Sequence, residues 1–215
     1  MKILIINPNS NPKMTKAIAR TARDFSAGAF DVECLSSPTG PRFIETYEDE
    51  MRSAPGMAAL VRENERSVDG YIVACHCDPN LDLLKEITAK PVVGIGEASM
   101  KMATLLGHKF SVLSSTRHSV PNKEALVRKY HLEGLLASIR VVERGDYLRA
   151  SRLAMDEDGA EVVVLGCAGM TGLDKKLTGK LGIPVLDGVV CGLIIASGLA
   201  RYGVGTSKAR RYNPK

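Results

Sequence analysis

The feature that most constrains this sequence is that its two halves carry the same order of predicted elements. In each half, short β-rich runs alternate with longer amphipathic runs. The segment DGYIVAC at 69–75 parallels GAEVVVLGC at 159–167, and a proline follows the final cysteine of each after 16 and 17 positions, respectively. Alternating strands and helices predict a parallel sheet covered by helices on both faces. Two similar halves therefore predict an α/β protein with two such sheets that face each other about a pseudo-twofold axis.

The predicted elements can be placed along both halves. In the first half we predict strands at 2–7, 30–35, 70–74 and 91–95, and helices at 13–26, 56–66, 79–88 and 97–106. In the second half we predict strands at 109–113, 137–142, 161–166 and 183–186, and helices at 121–130, 147–157, 171–179 and 188–201. Asn9 or Ser10 is predicted to cap the first helix, and Asp78-Pro79 is predicted to open the third. The halves differ most after their second strand, where the first has a predicted loop at 36–55 and the second only a few residues near Arg144.

Composition excludes several broad classes. The 215 residues are 45% hydrophobic and 25% charged, which is typical of a globular protein that buries a sizeable core. We expect no transmembrane helix and no signal peptide, and hence a cytoplasmic protein. The net charge of +5 is concentrated in a tail with Lys208, Arg210, Arg211 and Lys215, and the chain has no Trp. A nucleic-acid-binding face would instead spread basic residues with aromatics between them, so we expect neither nucleic-acid nor membrane partners.

Two of the five cysteines fall at equivalent positions of the halves. Cys75 and Cys167 each stand at the carboxyl end of the predicted third strand, where ligands bind in open parallel sheets. The pseudo-twofold axis would place them across one cleft. Each is expected to precede a helix start, whose N–H groups favour a thiolate. An odd number of cysteines argues against a disulfide framework, and we expect Cys34 and Cys191 to be packing residues.

Two facing thiols suit the inversion of a carbon stereocentre. A thiolate removes a proton from one face of the carbon, and the opposite thiol returns one to the other face. A free cysteine has a pKa of about 8.5, so modest tuning brings it near a working pH. The proton must lie next to a carbonyl, and the developing enolate charge requires hydrogen-bond donors. The backbone of Ala168, Gly169 and Met170 is a candidate source of those donors.

Several motifs resemble the aspartate/glutamate/hydantoin racemase superfamily, and hydantoin and allantoin racemases most of all. They are NPNS at 7–10, ACHCDP at 74–79, PVVGIGEA at 91–98, LGHKFSVL at 106–113, SVP at 119–121, VVVLGCAGM at 162–170 and GVGTSK at 203–208. The resemblance covers nearly the whole chain. It implies a cofactor-independent racemase without a metal that acts on a small molecule, with Cys75 and Cys167 as acid/base catalysts.

The resemblance also implies a fold and a substrate pocket. The fold is the aspartate/glutamate racemase-like one, with two pseudo-symmetric, flavodoxin-like domains facing across a cleft. The last helix would return to the first domain, so we assign 1–96 plus 188–215 to the first domain and 97–187 to the second. Relatives commonly form homo-oligomers. The implied pocket residues are Asn9, Ser10, Pro41, Phe43, Ile44, His76, Ser114, Ser115, Val120, Pro121, Ala168, Gly169 and Met170.

The sequence departs from its relatives at residues beside the expected substrate ring. His76 and Cys77 stand where many relatives have an aromatic and a small residue, and Phe43 stands where they often have Ser. The substrate's side chain therefore stays open, although the motifs lack a pair of basic residues for two carboxylates, which favours a neutral ring. We interpret Cys77 as structural, and His76 as a residue that can orient a thiolate.

Some features of the sequence also point to functions other than a racemase. Cys75-His76-Cys77-Asp78 collects four possible metal ligands, but no second ligand pair with zinc spacing accompanies it. Gly94-Ile95-Gly96 lacks the third glycine of a dinucleotide fingerprint. An amino-acid racemase, a decarboxylase with one proton-donating thiol, and a cis–trans isomerase with a nucleophilic thiolate remain alternatives. So does a non-enzymatic ligand-binding module.

Overall fold

The computed structural model describes residues 1–213 and contains two four-stranded parallel sheets of the same topology. The first sheet has the order β2-β1-β3-β4 and the second the order β6-β5-β7-β8. The strands are β1 (Lys2–Asn7), β2 (Asp31–Ser36), β3 (Gly70–Val73), β4 (Val92–Gly94), β5 (Phe110–Ser114), β6 (Leu136–Val141), β7 (Val162–Leu165) and β8 (Val185–Asp187). This duplicated parallel architecture confirms the predicted fold class. Pro214 and Lys215, the end of the basic tail, lie outside the described residues.

Eight α-helices connect and cover the strands. They are α1 (Pro12–Ser26), α2 (Tyr47–Asn64), α3 (Leu81–Ile87), α4 (Ile95–Ala103), α5 (Val120–Lys129), α6 (Tyr147–Asp156), α7 (Asp174–Leu181) and α8 (Gly188–Tyr202). Short 3-10 turns occur at Glu133–Leu135 and Ala168–Met170. Within residues 1–213, none of these helices has the length and apolar character required to cross a membrane.

The first helix is capped by a residue other than the two expected. Asn11 is the N-cap of α1, and its side-chain oxygen accepts hydrogen bonds from the amides of Lys13 and Met14 at 3.0 and 3.4 Å. Asn9 is not free to cap, because its side-chain oxygen already accepts from Asn7 Nδ2 and the amide of Asn11. The sequence placed the cap one or two residues too early, and Asn9 instead stabilises the turn that leads into the helix.

The second helix begins nine residues earlier than predicted. Thr46 and Asp49 form a capping box, in which each side chain accepts from the other residue's amide, at 3.1 and 3.0 Å. Pro55, the last residue of the predicted loop, lies inside α2. Its ring is exposed, so water can hydrate the backbone carbonyl that a proline leaves without its usual partner. The loop between β2 and α2 is therefore 37–46 and not 36–55.

The expected role of Asp78-Pro79 as the start of the third helix is wrong. The chain makes turns after Cys75, and α3 begins only at Leu81. The buried Asp78 carboxylate caps α4 instead, since it accepts from the amides of Gly96 and Glu97 at 2.9 and 2.6 Å. In the second half, α7 begins at Asp174, also later than predicted, because the chain first turns at 171–172, where Gly172 has a positive φ of 81°.

The last helix packs against the first sheet. Buried residues of α8, among them Val189 and Leu193, join a core cluster with Ile3 and Ile72. Burying a side chain of this size stabilises the fold by about 1.5–3 kcal/mol, so this contact fixes the end of the chain firmly. Helix α4 contributes to the cores of both sheets. The domain limits, 1–96 plus 188–215 and 97–187, therefore stay a prediction.

Candidate active site

A cavity of about 250 Å³ contains both duplicated cysteines. Cys75 follows β3 of the first sheet, and Cys167 follows β7 of the second. Its lining consists of Asn9, Met14, Phe43, Ile44, Glu45, Ala74, Cys75, His76, Cys77, Ser115, Thr116, His118, Ser119, Asn122, Lys123, Gly166, Cys167 and Ala168. Loops at the carboxyl ends of equivalent strands therefore meet in one cavity, as expected for ligand sites in parallel sheets.

A larger cavity of about 650 Å³ lies beside β6 and α6, but it lacks comparable chemistry. Its wall is rich in arginine, and two of these arginines are already ion-paired: Arg117 with Glu143 and Arg140 with Asp158. It contains no cysteine or histidine. We therefore place the candidate active site in the smaller cavity, where nucleophilic and acid/base groups converge.

Cys75 is paired with a third thiol. The Sγ atoms of Cys75 and Cys77 lie 3.2 Å apart, within hydrogen-bonding distance for sulfur. The hydrogen bond from Cys77 lowers the pKa of Cys75 and outweighs the opposing effect of burial. The same hydrogen bond, together with burial, raises the pKa of Cys77 well above its ordinary value. Of the two thiols, Cys75 is therefore the one that ionises first. The sequence predicted a structural role for Cys77, whereas the structure places its sulfur against that of Cys75.

Cys167 has different surroundings. Its Sγ accepts a long hydrogen bond of 3.4 Å from the amide of Gly169. Burial raises the pKa of Cys167 and is the largest effect on it. The site thus combines one sulfur whose pKa is lowered with another whose pKa is raised.

The expectation that a helix start follows each cysteine is wrong for Cys75, because five residues separate it from α3. It holds for Cys167 in a reduced form, since Cys167 is the N-cap of the three-residue 3-10 turn Ala168–Met170. The donor to the first sulfur is therefore the thiol of Cys77, and the donor to the second is the amide of Gly169 in that turn.

His76 is a neutral wall residue. It is 2% exposed, and burial lowers its pKa well below the ordinary value. Its Nε2 lies 3.4 Å from Ser99 Oγ, while Nδ1 is buried without a hydrogen-bond partner among residues 1–213. No hydrogen bond links it to Cys75 in the described part of the chain, so its contribution is to the shape of the wall.

Six of the thirteen expected pocket residues line the cavity. They are Asn9, Phe43, Ile44, His76, Ser115 and Ala168. Asn9 is 4% exposed, and its amide oxygen is held by Asn7 and Asn11, which fixes the orientation of its amide group. Phe43 and Ile44 belong to the loop between β2 and α2. Gly40 lets this loop approach β1 closely, because a Cβ there would lie 2.2 Å from the carbonyl oxygen of Pro8.

The other seven expected residues are not part of the cavity lining. They are Ser10, Pro41, Ser114, Val120, Pro121, Gly169 and Met170. The amide of Ser10 donates to the Pro41 carbonyl, which ties the loop to the end of β1. Ser114 Oγ lies 2.7 Å from the Oγ of Ser119, which lines the cavity, so Ser114 contacts the wall without being part of it. Pro121 is exposed, and Met170 is buried in the core of the second sheet.

Sequence reasoning missed Lys123, the one buried cation in this wall among the described residues. Lys123 is 6% exposed, and its Nζ donates to the carbonyl of Gly166 at 2.7 Å. It shares the buried face of α5 with Leu126 and Val127, at the i, i+3, i+4 spacing of an amphipathic helix. The signal in the sequence was a lysine on an otherwise apolar helical face. Lysine is rarely buried at such a position unless it is paired.

The competing sequence motifs do not form ligand sites in the described residues. Cys75 and Cys77 are paired with each other, His76 with Ser99 and Asp78 with the start of α4. Residues 1–213 hold no cluster of three or more metal-binding side chains. In Gly94-Ile95-Gly96, the amide of Gly96 already donates to Asp78, so it is not free to bind a phosphate.

The chain is similar to known proteins both in sequence and in structure. The family model of the Asp/Glu/Hydantoin racemases matches residues 3–195. A hydantoin racemase from Pseudomonas sp. (strain NS671) is 36% identical, over 99% of this chain and 91% of its own length. The structures of allantoin racemases from Klebsiella pneumoniae and Pseudomonas fluorescens are similar with a TM-score of 0.93 each, at 31% and 32% identity. They cover 100% of this chain, and the matches span 94% and 98% of theirs.

Proposed function

The chain belongs to the Asp/Glu/hydantoin racemase family and is a racemase, and we propose that it inverts C5 of a 5-substituted hydantoin or of allantoin. The observation that carries the proposal is the presence of Cys75 and Cys167 in one cavity with opposite preferences for the proton. One group must accept a proton while the other donates one, so unlike protonation states suit the reaction. No cofactor enters this scheme.

The proposed reaction begins at C5, whose hydrogen is acidified by the adjacent carbonyl. The thiolate of Cys75 takes this proton, and the electron pair moves into an enolate. The thiol of Cys167 then donates its proton to the other face of C5. Cys75 ends as a thiol and Cys167 as a thiolate, which is the state that converts the product enantiomer back. Exchange of protons with water resets the pair.

The size and lining of the cavity support a small ring as substrate. A volume of about 250 Å³ lies below the roughly 300–1,000 Å³ typical of sites for drug-sized ligands. Met14, Phe43 and Ile44 offer apolar surface for a ring substituent. The amide of Asn9 and the hydroxyl of Ser115 offer polar groups for ring carbonyls and N–H groups.

The charges of the wall favour a ring over an acidic amino acid. An aspartate-like substrate carries two carboxylates, and each requires a cation or several donors when it is buried. Among the described lining residues Lys123 is the single lysine or arginine, and burial keeps His76 neutral. A racemase for acidic amino acids remains the second candidate, because Lys123 is available to one carboxylate.

The proposal also covers the oligomeric state of the protein and its location in the cell. We propose a homo-oligomer that works in the cytoplasm, as commonly found among the relatives that the sequence resembles. Size-exclusion chromatography with light scattering at several protein concentrations tests the assembly, and a single monomeric mass would overturn it.

The proposed function is tested in deuterated buffer. Enantiopure 5-substituted hydantoins and each enantiomer of allantoin are incubated with the wild type, Cys75→Ser and Cys167→Ser. Optical rotation and exchange of the C5 hydrogen are followed together, with an enzyme-free blank because such rings also racemise slowly unaided. We expect the wild type to lose rotation while deuterium enters C5, and each variant to lose racemisation.

The same experiment separates the alternatives. A folded, reduced wild type that leaves both kinds of ring unchanged contradicts the proposed substrate class. Acidic amino acids, substituted malonates and maleate are then offered, because these distinguish an amino-acid racemase, a decarboxylase and a cis–trans isomerase. If the protein turns over none of these compounds, the non-enzymatic ligand-binding module is the remaining alternative.

A further inference from the structure

Lys123 is a buried cation without an acidic partner. None of the ion pairs among residues 1–213 includes it. Its one hydrogen bond within the described residues goes to the neutral carbonyl of Gly166, the residue before Cys167. A lysine ammonium has three donors, so two N–H bonds remain for other groups in the cavity that it lines. A buried charge costs free energy unless it is compensated, so an anion beside Lys123 would stabilise its charged form.

The candidates for that anion are the titratable groups that face Lys123. They are Cys75, His76, Cys77 and Asp78 from the loop after β3, and Cys167 from the loop after β7. Glu45 and His118 also line the cavity, but both are exposed to solvent. His76 is neutral and Cys77 retains its proton. Asp78 accepts hydrogen bonds from Gly96, Glu97 and Tyr130, and burial raises its pKa to about 7. The two sulfurs of Cys75 and Cys167 remain.

The position of Lys123 suits both sulfurs. Its bond to Gly166 fixes it beside Cys167, and its charge also acts on Cys75. Burial lowers the pKa of Lys123, and both sulfurs oppose that effect when they are anionic. Gly166 permits this approach, because a Cβ there would lie 3.1 Å from Cε of Lys123 and 2.2 Å from the carbonyl oxygen of Leu113.

We propose that Lys123 is the counter-ion that the two thiols and the substrate enolate share during the reaction. The part of this inference that concerns the substrate enolate rests on the proposed function. When the proton moves from C5 to Cys75, the negative charge moves from sulfur to the ring. When Cys167 gives up its proton, the charge moves on to its sulfur. Lys123 keeps its own proton throughout, and a single fixed cation compensates the charge at each stage and in both directions.

The first test measures the thiols without any substrate. Alkylation by iodoacetamide is followed from about pH 5 to pH 10, a range that spans the ordinary thiol pKa. Tandem mass spectrometry resolves Cys75 from Cys77 on their shared peptide. In Lys123→Met, which keeps the length but not the charge, we expect the pH midpoint of Cys75 to rise by up to about 1 pH unit. Arg128→Met removes a unit charge from an exposed position of the same helix and is expected to leave the midpoint unchanged.

A second variant guards against misfolding. Lys123→Ala opens space that ethylammonium can fill, and added ethylammonium is expected to return the Cys75 midpoint toward the wild-type value. Sodium at equal ionic strength is the control. Rescue by the amine alone requires a cation at this place, whereas a purely structural lysine would not respond. An unchanged Cys75 midpoint in a folded Lys123→Met protein overturns the proposal.

Activity then tests the enolate part separately. With a substrate that the wild type racemises, Lys123→Met is expected to lower kcat at least tenfold and to change KM less, because the charge to be stabilised develops only during the reaction. A normal kcat with a shifted Cys75 midpoint overturns the enolate part. Failure of the wild type on every ring overturns the proposed function, and the alkylation result still decides whether Lys123 serves the thiols.

Discussion

The loops that follow Cys75 and Cys167 start from equivalent strands and end with different chemistry. After β3 the chain makes several turns and places Cys77 and Asp78 beside the first sulfur. After β7 it makes one 3-10 turn and places the amide of Gly169 beside the second. The first arrangement favours a thiolate and the second a thiol. The duplicated sheets thus fix where the sulfurs lie, while the unequal loops determine how each holds its proton.

Both loops are nevertheless secured in a similar way, by a buried aspartate. Asp78 lies on the first loop and caps α4 at a distance. Asp187 ends β8, caps α8 through the amide of Val189, and reaches back to the second loop at Thr171 and Gly172. In the first half the carboxylate comes from the loop, and in the second half it comes from the end of β8. In both halves it joins the loop after the third strand to the start of the helix after the fourth strand.

The largest stability effects are expected at these two aspartates. Asp78→Ala removes the acceptor for two amides and the Tyr130 hydroxyl, and Asp187→Ala does so for two amides and the Thr171 hydroxyl. Each variant is expected to lose about 2–4 kcal/mol of unfolding free energy, because buried donors are left unpaired. Denaturant unfolding measures this, with the exposed Asp24→Ala as a control expected to stay within about 0.5 kcal/mol. A large loss in only one half would break the analogy between the loops.

The pH dependence of stability distinguishes Asp78 further. Burial raises the pKa of Asp78 to about 7, so the folded protein binds this proton more tightly than the unfolded chain, whose pKa is about 3.9. The resulting stabilisation is fully present below about pH 4 and is lost as the pH rises through 7. Its size is up to about 4 kcal/mol. Asp78→Asn cannot titrate, so the difference in unfolding free energy between wild type and variant should change across this range. A constant difference would show that the folded-state pKa of Asp78 is not raised.

Removal of the third thiol is expected to make the two sulfurs more alike. In Cys77→Ala, Cys75 loses the hydrogen bond that lowers its pKa. The rising limb of the pH–rate profile should move up by about 1 pH unit, which corresponds to roughly a tenfold lower rate at neutral pH. Cys77→Ser retains a hydroxyl donor and should lie closer to the wild type. If Cys77→Ala leaves the profile unchanged, the 3.2 Å contact has no influence on the reaction.

The smallest effect is expected in the loop that only the first half possesses. Phe43 lies on the 37–46 loop, lines the cavity and is 43% exposed, whereas β6 and α6 are joined by only a few residues. Phe43→Ala should raise KM several-fold and change kcat little, because it removes apolar contact that ground state and transition state share. Met51→Ala, at a 75% exposed position, is the control. A large fall in kcat with constant KM would instead assign Phe43 a part in the chemical step.

The sequence was sufficient for the repeated framework because local patterns encode it. The bounds of β1 were predicted to the residue, and the duplicated strands that end before Cys75 and Cys167 located the cavity. The prediction failed where distant contacts decide. Asp78 caps α4, 18 residues away, and the position of Lys123 in the wall depends on the carbonyl of Gly166, 43 residues away. Pairings of that range leave no periodic trace in a single sequence.

The central claim is that one cavity holds two catalytic thiols in opposite resting states. The most direct test is the pH dependence of alkylation of Cys75 and Cys167 in the same wild-type sample, resolved peptide by peptide. We predict a midpoint for Cys75 below the ordinary thiol value of about 8.5 and one for Cys167 above it. Equal midpoints, or a lower midpoint for Cys167, would contradict the account.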